Sequence, residues 1–437
     1  MVFKRIPLLL CVCLLLGSRC FLVAVAAAED YNINLDDFEK KSFSWGGYAE
    51  LKGEHNRLNR DGAFALLSFY DTPSSDLAQL TTKVQLDGNL NKGVVDFNWL
   101  LQAFTQQSQL ESRNELNIFS AFASIKLSPS VTIDIGKKTF KWGKGYAWNP
   151  VGFIDRSKDP NNPDDALEGY IGTGVDLIKS LSGKLQTVAL TSVLLPVWED
   201  VNDDFGEKNN LNFATKLYLL YRDTDIDFIL FTGDSRSTRF GVDLSKNLAT
   251  NFEIHAELAH IPEQRDKALN ALGKLITQEK SVTSYLLGLR YLSGNEITTI
   301  FEYYHNDTGY SEKEMEQFYQ RVTDAHNSYL STDNDSLLRE AVAISKSGYA
   351  RPQAGQNYIY LRMTQKEPFD LLYFTPGMTT IINLDDTSYS LSPEAVYSGL
   401  TNWELRLRYS WIDGGRFTEN GEKLNENKLE LRVRYYF

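Results

Sequence analysis

Lys428-Leu429-Glu430-Leu431-Arg432-Val433-Arg434-Tyr435-Tyr436-Phe437 closes the 437-residue chain. Side chains alternate along a strand, so Leu429, Leu431, Val433, Tyr435 and Phe437 share one face. Glu430, Arg432, Arg434 and Tyr436 share the other. Such a strand needs an apolar medium on one side and water on the other. The competing reading is an edge strand of a soluble sheet that rests one face on a core.

The same two-sidedness recurs. In 402–411, Trp403, Leu405, Leu407, Tyr409 and Trp411 alternate with Glu404, Arg406 and Arg408. In 93–105, Val95, Phe97, Trp99 and Leu101 alternate with Asp96, Asn98 and Gln102; in 249–260, Phe252, Ile254, Ala256 and Leu258 alternate with Glu253, His255 and Glu257. A charge on a lipid face costs several kcal/mol at mid-membrane depth, so these charges belong to a wet interior. About eighteen such segments can be read, with sixteen to twenty acceptable, most near the ~9–11 residues of a tilted membrane strand. Short gaps (Asn91-Lys92, Ser128-Pro129, Ser182-Gly183, Asp223, Asn247-Leu248, Gly294-Asn295, Gly399-Leu400) follow every second strand, and most intervening gaps are longer. A soluble sandwich has no reason for one long-looped end. The expected fold is all-β, a transmembrane antiparallel β-barrel over 43–437 with helical extracellular loops.

The last strand resembles the closing strand of bacterial outer-membrane barrels, which typically end on Phe. The resemblance implies that the strand ending at Phe437 is read by the barrel-insertion machinery. The N-terminus reads as a cleaved signal peptide over 1–28: Lys4 and Arg5, an apolar run from Ile6 to Leu16, then Ala26-Ala27-Ala28. A short periplasmic segment, 29–42, would precede the barrel. All three cysteines (Cys11, Cys13, Cys20) fall in the signal, so the mature chain would carry no disulfide, thiol nucleophile or cysteine-bound zinc. Setting Lys4, Arg5 and Arg19 aside from 45 basic residues against 57 acidic ones leaves the remainder at −15, which excludes nucleic acid as a partner by charge. The expected location is the bacterial outer membrane, with its lipids and lipopolysaccharide as partners.

Two gaps are too long for plain loops. In 306–356, Ser311-Glu312-Lys313-Glu314 is a capping box, and Met315, Phe318, Tyr319 and Val322 follow at helical spacing. A second helix is expected from Ser336. In 261–281, Ala268, Leu269, Leu272, Leu275 and Ile276 suggest another helix. These apolar stripes need a partner: other loops, the barrel mouth as a lid, or another protein.

One motif stands out. Gly136-Lys137 ends a strand; Trp142-Gly143-Lys144-Gly145 and Trp148-Asn149-Pro150 follow, then Asp159-Pro160. Glycines permit tight turns and prolines fix φ, so this loop should be ordered, with the tryptophans docking it on the wall. The pattern resembles that of alginate-export-type and related porin-like barrels. It implies a barrel of about eighteen strands that carries a solute or a polymer. That family's dense set of lumenal arginines is not spread around this chain, which puts an anionic polysaccharide cargo in doubt.

Arg406, Arg408, Arg432 and Arg434 lie on adjacent strands, facing inward. They read either as a pore-lining strip that attracts anions or as partners of Glu404, Glu430, Glu50 and Glu54 in the wall. Glu253, His255 and Glu257, with Glu302, Asp225 and Asp227, offer an opposing acidic side. Two-residue spacing makes shared faces automatic, so no metal site is assigned. No catalytic grouping, P-loop or dinucleotide fingerprint appears, so no enzyme activity and no cofactor are expected. The leading expectation is a channel for passive passage of small hydrophilic solutes, anionic ones included. The rivals are an export conduit for a polymer such as a polysaccharide, with periplasmic partners, and a sheath around a partner cytochrome. A homotrimer is compatible with this layout, though no strand marks an interface.

Overall fold

The computed structural model describes residues 42–270 and 273–437. The signal peptide expected over 1–28, nearly all of the expected segment 29–42, and Leu272 lie outside the described residues. Eighteen strands follow one another: β1 (Phe43–Leu58), β2 (Asp76–Lys92), β3 (Val95–Ser108), β4 (Ser112–Ser128), β5 (Val131–Lys138) and β6 (Tyr170–Ser180). Then come β7 (Leu185–Val197), β8 (Asn210–Tyr221), β9 (Thr224–Thr232), β10 (Arg239–Ala249), β11 (Phe252–Leu269) and β12 (Leu275–Leu292). The last six are β13 (Ile297–His305), β14 (Asn357–Gln365), β15 (Phe374–Asn383), β16 (Tyr389–Leu400), β17 (Trp403–Asp413) and β18 (Asn425–Tyr436). Each pairs antiparallel with the next, and β18 pairs with β1 to close the barrel. Closure leaves no open edge, the only way a sheet can sit in hydrocarbon with its backbone groups satisfied.

The closing seam shows why the alternation works. Glu50 pairs with Arg434, Leu51 with Val433, Lys52 with Arg432 and Gly53 with Leu431. Glu50, Glu430 and Arg432 are buried inside, whereas Leu51, Leu407, Leu429 and Leu431 are exposed on the outer face. An arginine on a lipid face costs roughly 2–4 kcal/mol at the bilayer midplane. Leu431 is mid-strand, so Leu431→Arg is expected to lower unfolding stability in lipid by that amount, measured by denaturant titration. An equally large loss for the inner-face change Lys428→Ala alone, with none for Leu431→Arg, would reverse the assignment of faces.

One end carries tight turns, the other carries loops. Arg222 and Asp223 join β8 to β9 with φ of 48° and 57°, the left-handed pair that a two-residue hairpin turn requires. The turns expected at Asn247-Leu248 and Gly399-Leu400 fall instead just beyond Ala249 and Leu400, because β10 and β16 run on past irregular register near their ends.

The stretch 261–281 is not helical in its described part. It continues β11 and β12 as a hairpin in which Ala268 faces Ile276 and Leu269 faces Leu275. Cross-strand pairing satisfies the backbone there, and Arg265 adds an ion pair to Glu279 at 3.1 Å. The apolar spacing that imitates a helix marks the hairpin tip, where Ala268 and Leu269 are buried under other loops.

Those loops are helical. Short α1 (Ala63–Phe69) joins β1 to β2, and α2 (Glu312–Thr332) and α3 (Ser336–Ile344) lie between β13 and β14. Ser311 and Glu314 cap α2 reciprocally. Ala63 and Leu67 of α1, the β11–β12 tip, Met315, Phe318, Tyr319 and Val322 of α2, and Leu338 and Ala341 of α3 form one buried cluster. The α1 loop and the β11–β12 tip are on opposite sides of an eighteen-strand ring, so this cluster reaches across the long-loop mouth.

Candidate functional site

The loop 139–169, between β5 and β6, is built to be rigid. Buried Asp155 accepts backbone N–H groups from Phe140 and Lys141 at 2.9 Å and from Trp142 at 2.8 Å, tying the start of the loop to its middle. Burial pushes the Asp155 carboxyl up, against the pull of these three donors. Gly143 has φ of +102°, and a Cβ there would sit 2.8 Å from a Glu257 oxygen. A Cβ on Gly145 would meet the Trp148 carbonyl oxygen at 2.2 Å. Both glycines therefore allow the backbone to approach the wall.

Two wall carboxylates take up that approach. Glu257 on β11 accepts N–H groups of Lys144, Gly145 and Val151, the second at 2.6 Å. Glu302 on β13 accepts those of Tyr146 and Ala147, the latter at 2.9 Å. Both glutamates are almost fully buried. Charge-assisted bonds of this kind are roughly twice as strong as neutral ones. Trp142 is buried with Val193, Leu195, Ala214 and Phe231 of β7 to β9, and Trp148 with Leu286, Tyr358 and Tyr360 of β12 and β14. Trp148 also stacks on Tyr304, centroids 5.1 Å apart. Further along, Asn162 accepts from Arg408 at 3.0 Å and Asp164 from Arg362 at 3.3 Å. Arg362 is on β14, nine strands from β5, the greatest separation an eighteen-strand ring allows. The loop thus crosses the whole lumen.

The charges sort around this crossing. Each predicted arginine has a carboxylate: Arg434 with Glu50 at 2.6 Å, Arg432 with Glu430 at 3.0 Å, Arg408 with Glu394 at 2.6 Å and Arg406 with Glu404 at 3.8 Å. On the opposite wall, Lys144 of the loop reaches Asp227 at 2.9 Å and Asp243 at 3.6 Å. Burial alone would lower the Lys144 pKa, but Asp227, Asp243 and Asp225 together raise it. A cavity of about 690 Å³ remains beside the loop, bounded by Lys141, Lys144, Tyr146, Lys158, Asp165 and, across from them, Tyr48, Gln85 and Arg434.

Of the acidic side expected from the sequence, Glu257 and Glu302 are committed to holding the loop. His255 meets Glu302 at 2.9 Å and lies 3.7 Å from Glu253, while Glu253 also accepts from Tyr146 at 3.1 Å. Among the described residues no group of His, Cys, Asp or Glu side chains is arranged to hold a metal ion. Asn149 and Pro150 turn the loop, with Gly152 N–H donating to the Asn149 carbonyl at 2.9 Å. Sequence reasoning missed Asp155 and Arg362 as loop anchors. Arg362 was detectable as an inward position of an alternating strand; Asp155 carried no signal of its own.

No family model matches the chain, and no curated protein matches it. Solved structures do. Pseudomonas aeruginosa OpdQ superposes with a TM-score of 0.51 at 11% identity, covering 91% of this chain and 99% of that one. Pseudomonas aeruginosa OccK5 (OpdH) gives 0.50 at 12% identity, covering 90% and 97%. These likenesses carry the barrel fold; the alginate-export features implied by the motif at 136–165 are no part of them.

Proposed function

We propose that the chain is an outer-membrane channel for passive passage of small hydrophilic solutes. The observation that carries this reading is the polar loop pinned across the lumen, with a charged cavity left beside it. A barrel wall with a lipid-compatible outside and a charged inside supports a membrane location. Passage would follow pore width, lumenal charge and the concentration gradient, without a cofactor. Because the arginines on β17 and β18 are paired, they offer a solute alternating charges rather than a bare positive strip. The crossing loop disfavours the rival readings: a polymer needs an uninterrupted bore, and a sheathed cytochrome needs an empty one.

The test is electrical. Purified barrel in a planar bilayer is expected to give steady open steps, and the reversal potential in a salt gradient then reports ion preference. Silence from the intact chain and also from a version lacking 310–349, with folding shown by heat-modifiable migration, would overturn the channel reading.

A further inference from the structure

Three cations on the long-loop side of the crossing lack the carboxylate partners that every β17–β18 arginine has. Arg236, in the β9–β10 loop, donates to the carbonyls of Phe205 and Phe153 and lies 3.7 Å over the Phe205 ring. Arg239, at the start of β10, has one long bond to the Ser237 carbonyl, 3.4 Å. Lys158, in the crossing loop, donates to the Gly145 carbonyl. No ion pair is formed by any of the three among the described residues. The acids that act on them through space are occupied elsewhere. Asp155 and Glu257 hold backbone N–H groups, Asp204 pairs with Arg156, and Asp266 accepts from Gln264 at 2.8 Å through one oxygen, its other oxygen being buried without a hydrogen-bond partner. Burial accordingly lowers the Arg236 pKa.

These side chains face a common space. A cavity of about 240 Å³ is lined by Lys158, Arg236 and Arg239, with one acid, Asp155, and with Ser284, Asn306 and Thr308 supplying neutral polar groups. It has room for several water molecules. Arg236 and Arg239 also border an outer cavity of about 420 Å³, where Glu207, Asp234 and Glu263 sit with Arg265. Lys158 also borders the 690 Å³ cavity that contains Arg434. Three cavities therefore adjoin in series, and cations stand at both junctions, with Asp155 beside Lys158 at the lower one.

We propose that Lys158, Arg236 and Arg239 form an anion subsite that takes the carboxylate or phosphate group of a small solute above the crossing loop. Guanidinium forks suit both groups, and the lysine adds a mobile point charge at the lower junction. The anion supplies the missing counter-charge, which the paired arginines of β17 and β18 do not need. The role as an entry subsite rests on the channel reading; binding itself does not.

Binding to the full barrel in detergent tests this without any current. Inorganic phosphate is followed by phosphorus line broadening, and acetate by saturation transfer. Saturable binding of at least one probe is expected, and the one that binds identifies the group. Arg239→Gln and Lys158→Gln should each weaken it by about ten- to a hundredfold, the usual effect of losing one charged hydrogen-bond partner. Arg239→Lys should retain most of it, and Arg222→Gln, in the β8–β9 turn, should leave it unchanged. Heat-modifiable migration confirms that each variant is folded. Absence of saturable binding of both probes, equal binding by Arg239→Gln, or an equal loss in Arg222→Gln would overturn the subsite. Such a failure would leave the channel reading standing, since current steps are measured separately.

Discussion

A barrel in which residues 310–349 are replaced by a short Gly/Ser linker will conduct in steps severalfold larger than the intact chain. The replaced segment holds the whole of α2 and α3. At ~1.5 Å per residue, the 21 residues of α2 extend about 31 Å. Its buried face, Met315, Phe318, Tyr319 and Val322, is what joins α1 on one rim to the β11–β12 tip on the other. Removing it leaves the strand ladders intact, because β13 and β14 pair along their full length from Ile297–Gln365 to His305–Asn357. The shortened protein should therefore fold, and only the resistance at the mouth should fall. Single-channel recording reads this directly. Equal steps from the two proteins would mean that solutes enter beside the helices, and that the crossing loop alone sets the conductance.

The second large effect is expected inside. Glu257→Ala combined with Glu302→Ala will free the crossing loop. Five backbone N–H groups, three of them buried, lose their acceptors together. An unsatisfied buried donor costs about 1–3 kcal/mol, so keeping the loop in place would cost of the order of several kcal/mol. Leaving the wall costs less, since the N–H groups then reach water. The variant should open in larger, noisier steps, and trypsin should cut at Lys141, Lys144 or Lys158, which the native loop protects. Glu257→Gln should do much less, because its amide oxygen still accepts. A protected loop and unchanged steps in the double variant would show that Trp142 and Trp148 suffice to hold it.

The wall was legible because a membrane barrel imposes one rule on every strand. Leu429, Leu431 and Val433 alternate with Glu430 and Arg432 for the same reason that Leu405 and Leu407 alternate with Arg406 and Arg408, and each such stretch became a strand of the closed sheet. Where the rule lapses, at 261–281, spacing alone misled. Ala268, Leu269, Leu275 and Ile276 are grouped because a hairpin tip meets other loops, a fact of tertiary packing. The site was half legible. Trp142, Gly143, Gly145, Asn149 and Pro150 announce a stiff loop but not its direction. That direction is set by Glu257, 112 residues from Gly145, and by Glu302, 155 residues from Ala147. Arg406, Arg408, Arg432 and Arg434 were locatable by parity alone, whereas Arg236, Arg239 and Lys158 come from loops and strand ends where parity says nothing.

The helical cover has a bearing on how the molecule is made. Its packed interior draws on Ala63, Leu269, Phe318 and Ala354, and the Ala63 N–H is held by Glu422, 359 residues away in the last loop. Bringing such distant segments together carries a loop-closure cost that only the finished wall removes in advance. The cover is therefore expected to set last, after β18 has zipped onto β1. On that order each copy would pass through a stage as a complete cylinder with an uncovered top, and maturation would end when the two rims are bridged.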